Sequence, residues 1–172
     1  MIKTNEVASA PASVAEALRN GLRRLGKAVV VITCWHQDRR WAMTATAVSE
    51  LSMDPPSLLV CVNKSASLHG PLTAGASFCV NILHADQRSV SQACSGAIKG
   101  EERFREGDWA AGADGTPFLR GAQASFFCTY ETHLAYGTHA VVIGAVTAVE
   151  CAGDVDPLIY LDGGYARVAR RE

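Results

Sequence analysis

The residue types best suited to chemistry lie between Trp41 and Ser67, in the stretch WAMTATAVSELSMDPPSLLVCVNKSAS. Its first part, Trp41 to Ser49, reads as a strand carrying small and hydroxyl side chains where a packed strand carries bulk. Ala45 and Ala47 let a flat ligand approach the backbone, and Thr44, Thr46 and Ser49 place hydroxyls beside main-chain groups. Asp54-Pro55-Pro56 then breaks the strand, because proline has no N–H for a ladder and biases the residue before it toward extended geometry. A second strand, Ser57 to Val62, runs into Asn63-Lys64-Ser65-Ala66-Ser67, a loop whose one cation and two hydroxyls suit phosphate. The plainer alternative is a hairpin-like pair of strands whose Ser/Thr-rich turns satisfy only their own backbone.

Other reactive types are scattered. The six cysteines, Cys34, Cys61, Cys79, Cys94, Cys128 and Cys151, mostly sit inside apolar runs with no Cys-x-x-Cys spacing, and read as small hydrophobes. His133 and His139 lack the same-face spacing of metal ligands and have no paired carboxylates, so no metal site is expected. His139, in Gly137-Thr138-His139 at the start of a strand, is on residue type alone as consistent with a structural role as with positioning a substrate. Lys64 is either a phosphate clamp or a solvated loop cation, with Ser65 and Ser67 the better phosphate partners. Glu102-Arg103-Phe104 either closes over a site or is a charged loop anchored by one aromatic.

Size and charge bound the partners. The chain has 172 residues, 48% of them hydrophobic and 19% charged, enough to bury a core the size of one ordinary domain. A formal net charge of -1 argues against nucleic acid or an anionic membrane as the main partner, since both demand a basic excess. Met1 to Ser13 lacks a basic start followed by an apolar run, and no segment is apolar for long enough to span a bilayer. Together with the unpatterned cysteines, this sets the expectation of a protein in a reducing cytoplasm.

The elements that must hold these residues are mostly strands. Residues 1–12 read as a flexible arm, followed by a single domain over 13–172. Ser13-Val14-Ala15-Glu16 has the capping-box pattern, and Val14, Ala17, Leu18, Leu22 and Leu25 recur at helical spacing up to Gly26. This spacing predicts an amphipathic helix with its stripe packed on something. Ala28 to Trp35 is an apolar strand, Leu68 to Leu72 a short helix, Ser77 to Leu83 a strand, and Asp86 a cap for a helix reaching Cys94. Gly and charge dominate Ser95 to Pro117, which reads as a long surface loop. Ala122 to Glu131 and Thr138 to Glu150 are long strands around a turn at Leu134 to Gly137, and Leu158 to Leu161 and Tyr165 to Ala169 close the pattern. Strands joined by short turns, without regular strand–helix alternation, indicate a mainly β chain forming a small barrel. No Gly-x-Gly-x-x-Gly or Walker-type loop is present.

The whole chain resembles the flavin reductase-like family, the FMN-binding split barrels that serve as reductase components of two-component flavin monooxygenases. The resemblance rests on Trp41 to Ala45, Asp54 to Pro56, Cys61 to Ser65, Phe78 to Asn81, Glu102 to Phe104, Gly137 to His139, Pro157 to Tyr160 and Gly164-Tyr165. It implies a six-stranded, Greek-key-like split β-barrel with a few flanking helices, paired as a homodimer with flavin near the subunit interface. It further implies that Trp41, Ala42, Met43, Thr44, Thr46 and Ala47 line the isoalloxazine and ribityl chain. Cys61, Val62, Asn63, Lys64, Ser65, Ser67 and Leu68 would approach the phosphate, Ala93 and Cys94 border the flavin, and Gly137, Thr138, His139 and Tyr165 lie near the nicotinamide nucleotide.

The implied activity is reduction of FMN or FAD by NADH or NADPH, with diffusible reduced flavin passed to a separate oxygenase. Hydride transfer is then the cofactors' chemistry, and the protein mainly stacks and orients. Positioning of that kind supplies on the order of 7–11 kcal/mol of the barrier. The alternative is a non-catalytic flavin- or haem-binding split barrel that keeps its ligand. An oxidase of the related pyridoxamine-phosphate type resembles the chain less at Met43-Thr44-Ala45 and Gly137-Thr138-His139.

Overall fold

A computed structural model describes residues 13–169, so the expected arm over 1–12 lies outside the described residues. In chain order the elements are α1 (Val14–Leu22), β1 (Lys27–Ala28), β2 (Val30–His36), β3 (Arg39–Ala45), β4 (Val48–Met53) and β5 (Pro56–Asn63). There follow α2 (His69–Thr73), β6 (Phe78–Ile82), α3 (Arg88–Cys94), a 3-10 turn (Gly100–Phe104), β7 (Trp109–Ala111) and β8 (Pro117–Leu119). The chain ends with β9 (Ala124–Tyr136), β10 (His139–Cys151), β11 (Ile159–Leu161) and β12 (Gly164–Ala166).

One antiparallel sheet dominates, in the order β3-β2-β6-β9-β10-β5-β4. β3 and β4 follow each other in sequence across Thr46-Ala47, yet they occupy opposite ends of this order. The sheet must therefore curl until its ends meet, and the Cys61 amide donates to the Ala47 carbonyl at 2.9 Å beside that seam. Counting β3 and β4 as one bent stave gives the six-stranded split barrel. Its connection is Greek-key-like, because β9 and β10 lie between β5 and the next sheet strand, β6.

The expected strand Trp41 to Ser49 is thus corrected to two strands, of which only the second, opened by Val48 and Ser49, pairs with Ser57 to Val62. β3 pairs with β2, with Trp41 opposite Cys34, while β5 pairs with β4 and β10. The small residues at Thr46 and Ala47, which suggested ligand approach, also let the backbone turn the barrel's corner.

Burial explains why β2 is apolar at nearly every position. Val30, Ile32 and Cys34 face the barrel interior with Val60, Val62, Leu72, Phe78, Val80 and Val142. Val29, just before the strand, and Val31 instead join a second core with Leu83, Val90, Phe104, Leu119 and Leu158. A strand buried on both faces carries no polar alternation. Between the cores, Asn81 is fully buried: its Nδ2 donates to the Val31 carbonyl at 3.0 Å, and its Oδ1 accepts from the Leu119 amide at 2.9 Å and the Ser125 hydroxyl at 3.0 Å.

Several expected boundaries move. The β9–β10 hairpin turns on Gly137-Thr138 alone, with Gly137 at φ 53, so Leu134 to Tyr136 are strand rather than turn. Asp86 does not cap α3, whose N-cap Gln87 makes no side-chain capping bond; Asp86 instead takes Arg167 at 2.8 Å. The stretch 95–117 is not a bare surface loop: it contains the 3-10 turn and β7, and Arg103 and Phe104 are buried. Phe104 meets Trp109 edge-on at 5.1 Å and carries the Arg40 guanidinium 4.3 Å above its ring. Periodicity cannot report a loop that folds back onto a second core.

The helix α1 begins where the capping box places it: the Glu16 amide donates to Ser13 Oγ, and the Ser13 amide donates to Glu16 Oε2 at 2.8 Å. It ends at Leu22, a turn before Gly26. Among the described residues nothing covers its apolar stripe, with Val14 87% and Leu18 61% exposed. Among the described residues no helix is long and apolar enough to cross a membrane.

Candidate functional site

The edge of β3 forms the floor of a groove of about 560 Å³. Among the described residues β3 has one ladder partner, β2, so along its other edge the main-chain groups are available to other partners. The Arg40 amide takes Glu101 Oε1 at 3.3 Å and the Ala42 carbonyl takes the Arg103 guanidinium. One wall is Ser65-Ala66-Ser67, after β5. The other is the end of α3 with the chain from Cys94 to Gly100, and Arg103 closes the base.

Local bonds fix these walls. Asn63 Oδ1 accepts from the Ser65 amide at 2.9 Å and from its hydroxyl at 2.8 Å, so asparagine shapes the loop rather than offering itself to a ligand. Thr44 donates its hydroxyl to the Ser91 carbonyl at 2.7 Å, tying β3 to α3. Ser91 Oγ in turn lies 2.9 Å from the Tyr165 hydroxyl. Glu101 is bound to Arg40 through Nε at 2.9 Å and Nη2 at 2.6 Å, and these bonds hold its carboxyl below the usual carboxylate range. Burial pushes the Cys94 thiol up to about 11 against the opposing pull of Arg103, so the cysteine at the groove wall stays protonated near neutral pH.

Of the residues singled out from sequence, the structure gathers Trp41, Ala42, Met43, Thr44, Ser65, Ser67 and Cys94 around this groove. Val62, Leu68 and Ala93 are buried, the first two packing in the barrel core. Thr46, Ala47 and Cys61 lie instead along a second, apolar cavity of about 730 Å³ that runs from Leu25 to Met53 and Val149. Lys64 does not point into the groove: its Nζ donates to the Gly137 carbonyl at 2.8 Å, and its amide to the Thr138 carbonyl at 2.9 Å. Those bonds hold the hairpin tip against the loop, where His139 pairs with Asn63 across the ladder. His139 itself is exposed, with Nδ1 2.9 Å from the Thr138 hydroxyl. Gly137, Thr138, His139 and Tyr165 thus stand outside the groove walls of a single copy.

Sequence reasoning missed Arg40 and Lys99 as lining residues and left Arg103 undecided. Among the described residues the lining carries these three cations and no carboxylate. Only the Glu102-Arg103-Phe104 triplet hinted at this, and its burial was not readable from residue type. Among the described residues no group of three His, Cys, Asp or Glu could hold a metal ion.

The donor set fits a flavin nucleotide. A groove floored by a strand edge, with Trp41, Ala42 and Met43 as its apolar lining, suits a planar heteroaromatic ring, and Ser65 and Ser67 beside Arg103 suit phosphate. The fold and groove define a flavin-binding split barrel, and comparison with known proteins gives the family. Residues 22–169 match the flavin reductase like domain, and the chain belongs to that family. It is 41% identical over 158 residues to the reductase component of an FADH2-dependent resorcinol hydroxylase from a Rhizobium species, covering 91% of this chain and 88% of that one. It is 39% identical over 151 residues to the FMN reductase (NADH) RutF of Variovorax paradoxus, covering 88% and 84%. Among solved structures, BorF, the flavin reductase component of a bacterial two-component tryptophan halogenase, superposes with a TM-score of 0.83 at 32% identity, covering 91% of this chain and 99% of BorF.

Proposed function

We propose that this chain is an NADH-dependent flavin reductase that reduces FMN or FAD and releases the reduced flavin to a separate oxygenase. The observation that carries the reading is the groove: the edge of β3 from Trp41 to Thr44, lined among the described residues by three cations and no carboxylate, in a member of the flavin reductase-like family. The relatives named above support the reductase over the carrier, being called an NADH-dependent FMN reductase and reductase components of a hydroxylase and a halogenase.

The flavin supplies the hydride acceptor when bound, and the nicotinamide nucleotide the donor. Trp41 to Thr44 hold the ring along the β3 edge, where main-chain groups polarise its pyrimidine side. Ser65 and Ser67 hold the phosphate. The hairpin tip at Gly137-Thr138-His139, clamped by Lys64, together with Tyr165, positions the nicotinamide nucleotide at the outer end. No side chain acts as general acid or base, so single replacements at the groove change affinity and alignment more than they abolish turnover.

The working unit is a homodimer. Its support is the uncovered stripe of α1 and the apolar cavity beginning at Leu25, which also carries Thr46, Ala47 and Cys61. A second copy laid on this face brings those residues to an interface beside the flavin groove. All six thiols are free, which agrees with a reducing cytoplasm.

The test is NADH oxidation by the purified protein, alone and with added FMN or FAD. Turnover that appears only with added flavin and saturates in it is expected, with a flavin dissociation constant around micromolar, about -8 kcal/mol. Flavin binding without turnover on either nicotinamide nucleotide replaces the reductase with the carrier.

A further inference from the structure

Arg103 is 8% exposed, and its neighbours do not neutralise it. The adjacent carboxylates are turned elsewhere, Glu101 to Arg40 at 2.6 Å and Glu102 to Arg105 at 2.7 Å. Its guanidinium is instead held by neutral acceptors from three sides of the groove. Nε donates to the Ile98 carbonyl at 2.8 Å, and Nη1 to the Ala42 carbonyl and to Ser67 Oγ at 3.3 Å. Nη2 makes no bond to the described residues, and because no buried side-chain polar atom among them is left unsatisfied, this nitrogen keeps contact with solvent on a side chain that lines the groove. A buried charge held by dipoles alone is costly, and an anion arriving at Nη2 relieves that cost.

We propose that Arg103 is the principal counter-charge for the flavin phosphate and sets the preference for phosphorylated flavins over riboflavin. The inference rests on the flavin lying in this groove. Phosphate is favoured over the ring as the partner because Nη1 already bridges to Ser67, in the hydroxyl-bearing loop, and because the oxidised ring carries no charge to match. Guanidinium presents Nη1 and Nη2 as a fork, so Ser67 and a phosphate oxygen share one planar donor set. Lys64, the cation singled out by sequence, is committed to the Gly137 carbonyl and cannot do this work.

The experiment measures dissociation constants of FMN and riboflavin by flavin fluorescence for the full-length protein and for Arg103→Gln, Arg103→Lys and Thr44→Trp. In the unaltered protein FMN binds more tightly than riboflavin, and added salt weakens FMN alone. Arg103→Gln is expected to weaken FMN about 10- to 100-fold, the scale of a lost charge-assisted bond, while riboflavin changes less than about twofold. A parallel loss for both ligands would reduce Arg103 to a structural tie, and unchanged FMN affinity would remove it from the site; either result overturns the proposal. Should Arg103→Gln not fold, Arg103→Lys decides: lysine cannot keep its wall contacts and reach the phosphate as a fork, so the FMN-to-riboflavin preference falls at least about threefold, and an unchanged preference overturns the proposal. Thr44→Trp fills the groove. If it leaves riboflavin binding intact, the flavin lies elsewhere and the placement of the site fails; if it abolishes binding while Arg103→Gln leaves the preference unchanged, only the role of Arg103 fails.

Discussion

At the scale of single residues, environment separates side chains that look alike in sequence. Four cysteines are buried and have raised thiol pKa values: Cys34 and Cys128 are pushed to about 12 by burial, Cys94 to about 11, and Cys79 higher still, with a smaller push from Cys128. Only Cys151 is exposed, and Cys61 is half-buried on the apolar cavity. A thiol reagent at pH 8 is therefore expected to modify Cys151 rapidly, Cys61 slowly, and the other four only after unfolding. Fast reaction of more than two thiols in the native protein would contradict this burial. His139 differs again, being exposed at a hairpin tip. Its replacement by alanine is expected to raise the KM for NADH more than it lowers flavin affinity, and unchanged steady-state constants would remove it from the nicotinamide site. What sequence showed at this scale was residue type in order: Thr44, Ser65 and Ser67 were legible as candidates, and the structure gathers them along one groove, where the first two hydroxyls bond Ser91 and Asn63. The cation was not, because Lys64 and Arg103 differ in their burial and partners rather than in charge.

At the scale of elements, close contacts make particular positions intolerant. On β10, beside a register shift opposite β9, a Cβ added at Gly144 would lie 2.5 Å from Phe78 Cζ and 2.9 Å from Cys128 Cβ. Gly144→Ala is expected to destabilise the fold by about 1–3 kcal/mol, read as a lower urea midpoint at unchanged m. Asn81→Ala strips partners from the Leu119 amide and the Ser125 hydroxyl, and a loss of about 2–4 kcal/mol is expected in the same measurement. The 3-10 turn is held more lightly. Arg40 lowers the carboxyl pKa of Glu101 in the folded state, so this contact contributes stability above the unfolded pKa near 4 and loses it as pH falls through the lower folded value. Glu101 is 57% exposed, so Glu101→Gln should cost no more than about 1 kcal/mol at pH 7, and nothing at a pH low enough to protonate the folded carboxylate. Strand positions were legible because alternation and proline breaks are local. The division of Trp41 to Ser49 into β3 and β4 was not, since the bend at Thr46-Ala47 answers to barrel closure, a long-range requirement.

At the scale of the whole molecule, the two cores leave one apolar face uncovered. The stripe of α1, with Leu18 and Leu22 61% and 47% exposed, adjoins the cavity that runs from Leu25 to Met53, itself 85% exposed. The helical spacing of Val14, Leu18, Leu22 and Leu25 signalled a packing face, but the spacing could not say that the described residues leave that face exposed. An isolated nine-residue helix is marginal in water, so α1 needs tertiary cover to persist. Leu18→Glu combined with Leu22→Glu places charge on that face without touching the barrel core or the groove. Gel filtration is expected to shift from a dimer to a monomer at micromolar concentration, while far-UV circular dichroism keeps its strand signature. Because Thr46, Ala47 and Cys61 share the cavity rather than the groove, loss of the partner should also weaken flavin binding, although no groove residue has changed. A monomer that binds flavin and oxidises NADH as well as the unaltered protein would show that one copy completes the site, and those three residues would then belong to packing alone.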